Sequence, residues 1–108
     1  METGFNKTII IGRLGNEPEL KHGSKVDYCQ FTISNVVIKN GDQDVQWHSI
    51  TVFGKQAQLC TEYLKKGDLV CIEGRFDSQV CEKDGEKRTK QIIIAEKVVF
   101  LSSKTKEV

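Results

Sequence analysis

Hydrophobic and polar positions alternate with a period of two along most of this chain, and the interruptions mark its turns and one helix. Lys7 to Leu14 contains Thr8, Ile9, Ile10 and Ile11, β-branched residues that suit a pleated strand, and stops at Gly15, Asn16, Glu17 and Pro18, a turn cluster holding the only proline. A loop is expected next, with His22 exposed in the polar Lys21–Lys25 segment. A second strand is predicted from Val26 to Ile38, where Phe31, Ile33 and Val37 alternate with Thr32 and Ser34. Lys39, Asn40, Gly41 and Asp42 then give a hairpin signal.

The third predicted strand, Gln46 to Phe53, divides into two unlike faces. His48, Ile50 and Val52 share one; Trp47, Ser49, Thr51 and Phe53 share the other. With Ile50 and Val52 turned inward, Trp47 and Phe53 lie outward on one side of the sheet, about 20 Å apart at the rise of a strand. Two aromatics on an outward face suggest a platform. After Gly54 the period lengthens: Ala57, Cys60 and Leu64 recur at three and four residues, predicting a helix over Gln56–Lys66 that ends at Gly67. Lys65 and Lys66 suit its last turn, beside the carbonyl end of the helix dipole. Strands resume at Leu69–Val80 and Thr89–Leu101, with a turn at Lys83, Asp84, Gly85 and Glu86 between them.

The expected class is all-β with one short helix, in the order β-β-β-α-β-β. That is the order of the OB-fold, a five-stranded Greek-key barrel with its helix between the third and fourth strands, whose open face binds oligonucleotides or oligosaccharides.

Composition narrows this further. At 108 residues with 38% hydrophobic content, the chain supports one core and is read as a single domain, residues 1–108. No apolar run approaches the roughly 18 residues of a membrane span, and Met1–Asn6 lacks a secretory pattern, so a cytoplasmic protein is expected. Net charge is only +1, so any nucleic-acid site must rest on local arrangement. Cys29, Cys60, Cys71 and Cys81 show no metal-ligand spacing and read as small apolar residues. His48 has no second ligand at a plausible spacing. Without a nucleophile–base set, a phosphate-cradling glycine motif or clustered carboxylates, neither catalysis nor a cofactor or metal is expected.

Five collinear blocks carry a resemblance: Asn6, Lys7 and Ile9–Gly15 with Pro18 and Glu19; Gln46–His48; Val52–Lys55; Glu62–Gly67; and Ile72–Arg75. In that order and spacing the chain resembles the bacterial single-stranded DNA-binding protein family from Asn6 to about Leu101. The resemblance implies a homo-oligomer, usually a tetramer with a dimer as the alternative, that coats single-stranded DNA without sequence preference in replication, recombination and repair. It implies that Trp47 and Phe53 stack on bases and that His48 packs between subunits. Lys7, Arg13, Lys39, Lys55, Arg75, Lys87, Arg88 and Lys90 are the candidate phosphate contacts, since they fall on strands or hairpins of the barrel.

The chain departs from the family pattern in three places. Two further aromatics that the family usually supplies are replaced near Ile38 or Lys39 and near Val80 or Cys81. Losing two stacking contacts implies an affinity lower by about a few kcal/mol per domain, which binding over several subunits can offset. Glu82, Asp84 and Glu86 partly cancel the cations of the last hairpin. Many members also carry a long flexible extension ending in an acidic peptide that recruits replication and repair partners; here Ser102–Val108 is mildly basic, so recruitment by such a tip is not expected of this sequence. That difference raises a second expectation, a dimeric adaptor like primosomal replication protein N that acts in replication restart. Gln46–His48 and Phe53–Lys55 fit the coating family better.

Overall fold

The computed structural model describes residues 4–101, apart from the side chains of Cys81 and Lys83. The readings placed on Ser102–Val108, on the first three residues of Met1–Asn6 and on the Cys81 side chain lie outside the described residues. In chain order the elements are β1 (Thr8–Leu14), β2 (Glu19–His22), β3 (Asp27–Lys39), β4 (Asp42–Phe53), α1 (Lys55–Tyr63), β5 (Leu69–Lys83) and β6 (Glu86–Phe100).

Two tight turns set the long hairpins. Asn40 and Gly41 take φ of 51° and 85°, and Asp84 and Gly85 take 55° and 77°. Paired left-handed residues of this kind make the two-residue turn whose twist matches that of the strands it joins. Lys39 is thereby set opposite Asp42, and Lys83 opposite Glu86. β3 and β4 then run antiparallel through Tyr28 and Phe53, while β5 and β6 pair from their turn down to Val70 and Phe100.

The sheet order is β1-β5-β6-β4-β3-β2, and β1 also pairs with β3. That second pairing closes β1, β5, β6, β4 and β3 into the five-stranded barrel, leaving β2 as a short edge on β3. Closure needs a close crossing. A Cβ at Gly12 would fall 2.3 Å from the Ser34 carbonyl oxygen, so the β1–β3 seam tolerates no side chain there.

Inward positions fill the barrel: Leu14 on β1, Phe31 and Ile33 on β3, Ile50 and Val52 on β4, Val70 and Ile72 on β5, and Ile93 and Ala95 on β6. Ala57, Cys60 and Leu64 close one side against β3, where Cys29 meets Cys60. Hydrogen bonding with Cys29, and burial after it, push the Cys60 thiol far above the ordinary thiol range, so it stays protonated.

Three sequence expectations change. Glu19–His22 is strand rather than loop, so Lys21 and His22 have a fixed register opposite Tyr28 and Asp27. Only Leu20 among those four is even half-buried, so backbone pairing rather than an apolar pattern makes this strand. In chain order the helix therefore follows the fourth strand, not the third. The helix also stops at Tyr63, because Leu64 is extended (φ −95°, ψ 143°). Lys65 and Asp68 close a turn there: the Lys65 N–H donates to Asp68 Oδ2, and the Asp68 N–H to the Lys65 carbonyl, both at 3.0 Å. Lys65 and Lys66 thus lie beyond the helix, whose last turn holds no basic residue. Finally, β4, β5 and β6 reach their turns, and the polar residues beside each turn pair with one another instead of facing a core.

Candidate nucleic-acid interface

The outward face of β2, β3 and β4 is laid out in rows by strand register. Lys21, Tyr28 and Phe53 form one row; Glu19, Gln30 and Thr51 the next; then Thr32 with Ser49, Ser34 with Trp47, and Val36 with Val45. Neighbours within a row are the cross-strand pairs whose side chains touch on one sheet face. Aromatic rings therefore bracket a polar floor, and beyond Trp47 the face continues through exposed Val36 and Val45.

At one end Phe53 is 44% exposed and leans on Tyr28, their ring centroids 6.1 Å apart at 46°. At the other end Trp47 is 60% exposed. Its indole lies over Gly15 so closely that a Cβ at Gly15 would fall 2.4 Å from Cζ3. The floor is held by local hydrogen bonds. Thr32 Oγ1–H donates to Asn16 Oδ1 at 2.8 Å, the Thr32 N–H donates to the same oxygen at 2.9 Å, and Gln30 Nε2 donates to Thr51 Oγ1 at 3.4 Å.

Above the floor lies a groove of ≈ 430 Å³, bounded by Asn16, Glu19 and Lys21 on the β2 side and by Gln79 and Lys90 on the β5–β6 hairpin. Gln79 and Lys90 are cross-strand partners, so that hairpin forms a wall. Beyond Phe76 and Gln91 the hairpin is exposed wherever its side chains are described.

The predicted aromatics thus share one face, as alternation required. The predicted cations are more scattered. Lys7 pairs with Glu73 at 3.7 Å, Lys39 with Asp44 at 3.5 Å, and Arg88 with Glu86 at 3.8 Å. Arg75 reaches Asp77 at 3.6 Å and Glu96 at 4.0 Å, and Arg13 donates to the Gly67 carbonyl at 3.0 Å. Lys55 and Lys87 make no ion pair among the described residues. Of the predicted cations only Lys90 lines the groove, joined by Lys21, while Arg88 shares the strand face of Lys90 by alternation. Sequence reasoning missed Lys21 because β2 was invisible to it. It also missed Tyr28, although Tyr28, Gln30 and Thr32 alternate with Cys29, Phe31 and Ile33 and so carried the outward signal.

His48 lies on the opposite face from Trp47, half-buried, its Nε2–H donating to Asn35 Oδ1 at 2.7 Å. Burial lowers its pKa from the ordinary value of 6.5. Among the described residues no His, Cys, Asp and Glu group is arranged to hold a metal ion.

The model of the single-strand binding protein family matches residues 5–101. The chain belongs to that family. A single-stranded DNA-binding protein of Neisseria meningitidis serogroup A is 38% identical over 93% of this chain and 62% of its own length. Single-stranded DNA-binding protein 2 of Clostridium acetobutylicum is 39% identical over 90% of this chain and 77% of its own. The chain thus spans about three-fifths of the Neisseria relative's length. A solved structure described as the Plasmodium falciparum SSB complex with ssDNA superposes with a TM-score of 0.85, covering 94% of this chain and 99% of its own, at 23% identity. At that identity the likeness bears on the fold, and it agrees with the closed OB-fold barrel. No helix among the described residues is long and apolar enough to cross a membrane.

Proposed function

We propose that this protein is a non-catalytic binder of single-stranded DNA that tolerates most sequences, coating and protecting strands exposed in replication, recombination and repair in the bacterial cytoplasm. The observation that carries this reading is the pair of exposed aromatic ends, Trp47 and Phe53 with Tyr28, flanking a groove rimmed by Lys21 and Lys90. Stacking on such rings contributes about 1–3 kcal/mol per base and works for any base, since every base has a π-face. Lys21, Lys90 and Arg88 lie beside that path for phosphates, with Lys55 after Phe53 as a further candidate.

A single domain with two aromatic ends binds modestly, and joining several in a homo-oligomer raises the grip by effective concentration. An assembly, with a tetramer the first expectation, is supported by apolar surface away from the groove: Ile9 and Ile11 on β1 are 60% and 54% exposed. Val99 lies near them across Cys71. His48 is the residue proposed to pack between subunits. A bulkier residue there should lower the mass measured by light scattering, and an unchanged mass would remove it from the interface.

The test uses Trp47, the only tryptophan. Oligothymidylates of increasing length should quench its emission, more strongly for longer strands and less at high salt. Absence of quenching at any length sinks the stacking reading and shifts weight to an adaptor that works through protein contacts.

A further inference from the structure

A groove that holds a polyanion is a poor place for a carboxylate, yet Glu19 lines it, in the row next to that of Tyr28 and Phe53. The Glu19 side chain is exposed and makes no ion pair or hydrogen bond with the described residues; only the strand pairing of its backbone places it. It does stand at the head of a register row, opposite Gln30, which is opposite Thr51.

That row has a direction. Gln30 Nε2 donates to Thr51 Oγ1, which leaves Gln30 Oε1 as the acceptor end of the amide. One row further on, the Thr32 hydroxyl proton is committed to Asn16 Oδ1, so Thr32 also offers lone pairs. The floor thus offers acceptors at Gln30 Oε1 and Thr32 Oγ1 beside the hydroxyls of Ser49 and Thr51, and Glu19 adds the one carboxylate among the described residues that line the groove.

A base lying between stacked neighbours with its Watson–Crick edge toward this row meets those acceptors. Thymine presents one N–H between two carbonyls, which a carboxylate repels. Cytosine and adenine present an amino group beside a ring acceptor. Guanine is the one DNA base that sets two N–H donors side by side, N1–H and the N2 amino group, matched to the two oxygens of a carboxylate.

We propose that Glu19 reads the Watson–Crick edge of one guanine in the groove, so that binding is sequence-tolerant through stacking but favours guanine at one position. The proposal rests on the stacking reading above. A strand can slide until its guanine is seated, so a single one suffices to reveal the preference.

The experiment measures anisotropy of a short dye-labelled oligothymidylate and of the same strand with one central dG or dI, against the wild type and Glu19→Gln. A bidentate base contact discriminates strongly, so the dG strand should bind the wild type about tenfold more tightly than all-thymidine. Inosine keeps N1–H and lacks the amino group, so it should fall between them although its ring stacks much as guanine does. Glu19→Gln should abolish the dG advantage while leaving all-thymidine binding equal or tighter, because a negative charge has left the phosphate path. Equal binding of dG and all-thymidine strands to the wild type overturns the proposal, as does a Glu19→Gln variant that binds every strand tighter by one common factor. In either case quenching of Trp47 by oligothymidylate would leave the stacking reading standing. Failure of every strand to bind would overturn both.

Discussion

Gly15→Ala tests the seat of Trp47 without replacing any residue proposed to contact DNA. The new methyl would stand 2.4 Å from Trp47 Cζ3, 3.1 Å from Cη2 and 2.8 Å from Thr32 Oγ1. Gly15 is not among the residues with positive φ, so alanine adds no backbone strain and acts only through these contacts. The backbone has little room to retreat, because the Gly15 N–H donates to the Thr32 carbonyl at 2.9 Å. The exposed indole gives way most, swinging by about 1 Å or more to reach ordinary van der Waals separation, and the Thr32 hydroxyl must shift by a smaller amount. If half of a stacking contact worth about 1–3 kcal/mol is lost, affinity for oligothymidylate falls about twofold to twelvefold. Thermal stability should change by less than about 1 kcal/mol, since the group displaced is exposed. Anisotropy of a labelled strand gives the affinity, and tryptophan emission of the free protein reports the displaced ring. The decisive control is Trp47→Ala: in that background Gly15→Ala should have no further effect on binding, the mark of two residues acting through one contact. Unchanged emission and affinity in the single variant, or a full additive loss in the double, would refute the reasoning.

Three further outcomes follow from the same geometry. Tyr28→Ala should weaken strand binding by about 1 kcal/mol or more, through its own ring and through the support it gives Phe53, as measured by anisotropy; an affinity equal to wild type would confine the aromatic end to Phe53. Lys21→Ala and Lys90→Ala should each reduce the slope of log affinity against log salt by about 0.7, the single-strand value per phosphate contact. Lys7→Ala, whose cation pairs with Glu73 away from the groove, should leave that slope alone. Burial holds the folded-state pKa of His48 below its ordinary 6.5, so the unfolded chain takes up the proton first. The stability that neutral His48 contributes is therefore complete above about 6.5 and drains away as pH falls through the depressed folded value. Denaturant midpoints of the wild type should fall over that window more than those of His48→Asn.

What could be read from sequence depended on which force held each element. β1, β3, β4 and the buried stretches of β5 and β6 put Ile, Val and Phe into the core at every second position, so periodicity located them and their outward faces together. That is why the outward placement of Trp47 and Phe53 on one face was legible in advance. β2 carries one partly buried side chain, Leu20, and exists through its backbone pairing with Cys29 and Gln30. No hydrophobic pattern can announce such a strand, and with it went Glu19 and Lys21, which complete the groove. The cations were legible as charges but not as partners: Glu73, Asp44 and Glu96 meet them from other strands or across a turn, and only Asp77 and Glu86 lie two residues away on the same strand. The helix end was misjudged for a related reason: Asp68 competes for the Lys65 backbone, an interaction that the apolar spacing of Cys60 and Leu64 does not encode.

The wall carrying Gln79 and Lys90 is a two-stranded ribbon that leaves the barrel behind once it passes Phe76 and Gln91. A ribbon with both faces in water has little but its own ladder and its turn to hold it straight, which is marginal for two strands. On the proposed reading it would act as a compliant jaw: closing it on a strand would remove bending freedom, and that lost entropy would be subtracted from whatever the contacts provide. Two relatives with identical side chains in the groove would then grip differently if one had the stiffer turn at Asp84 and Gly85. The same jaw should loosen as temperature rises, because an entropic penalty grows in proportion to it, and so the hold on a strand is governed in part by residues that never approach a base.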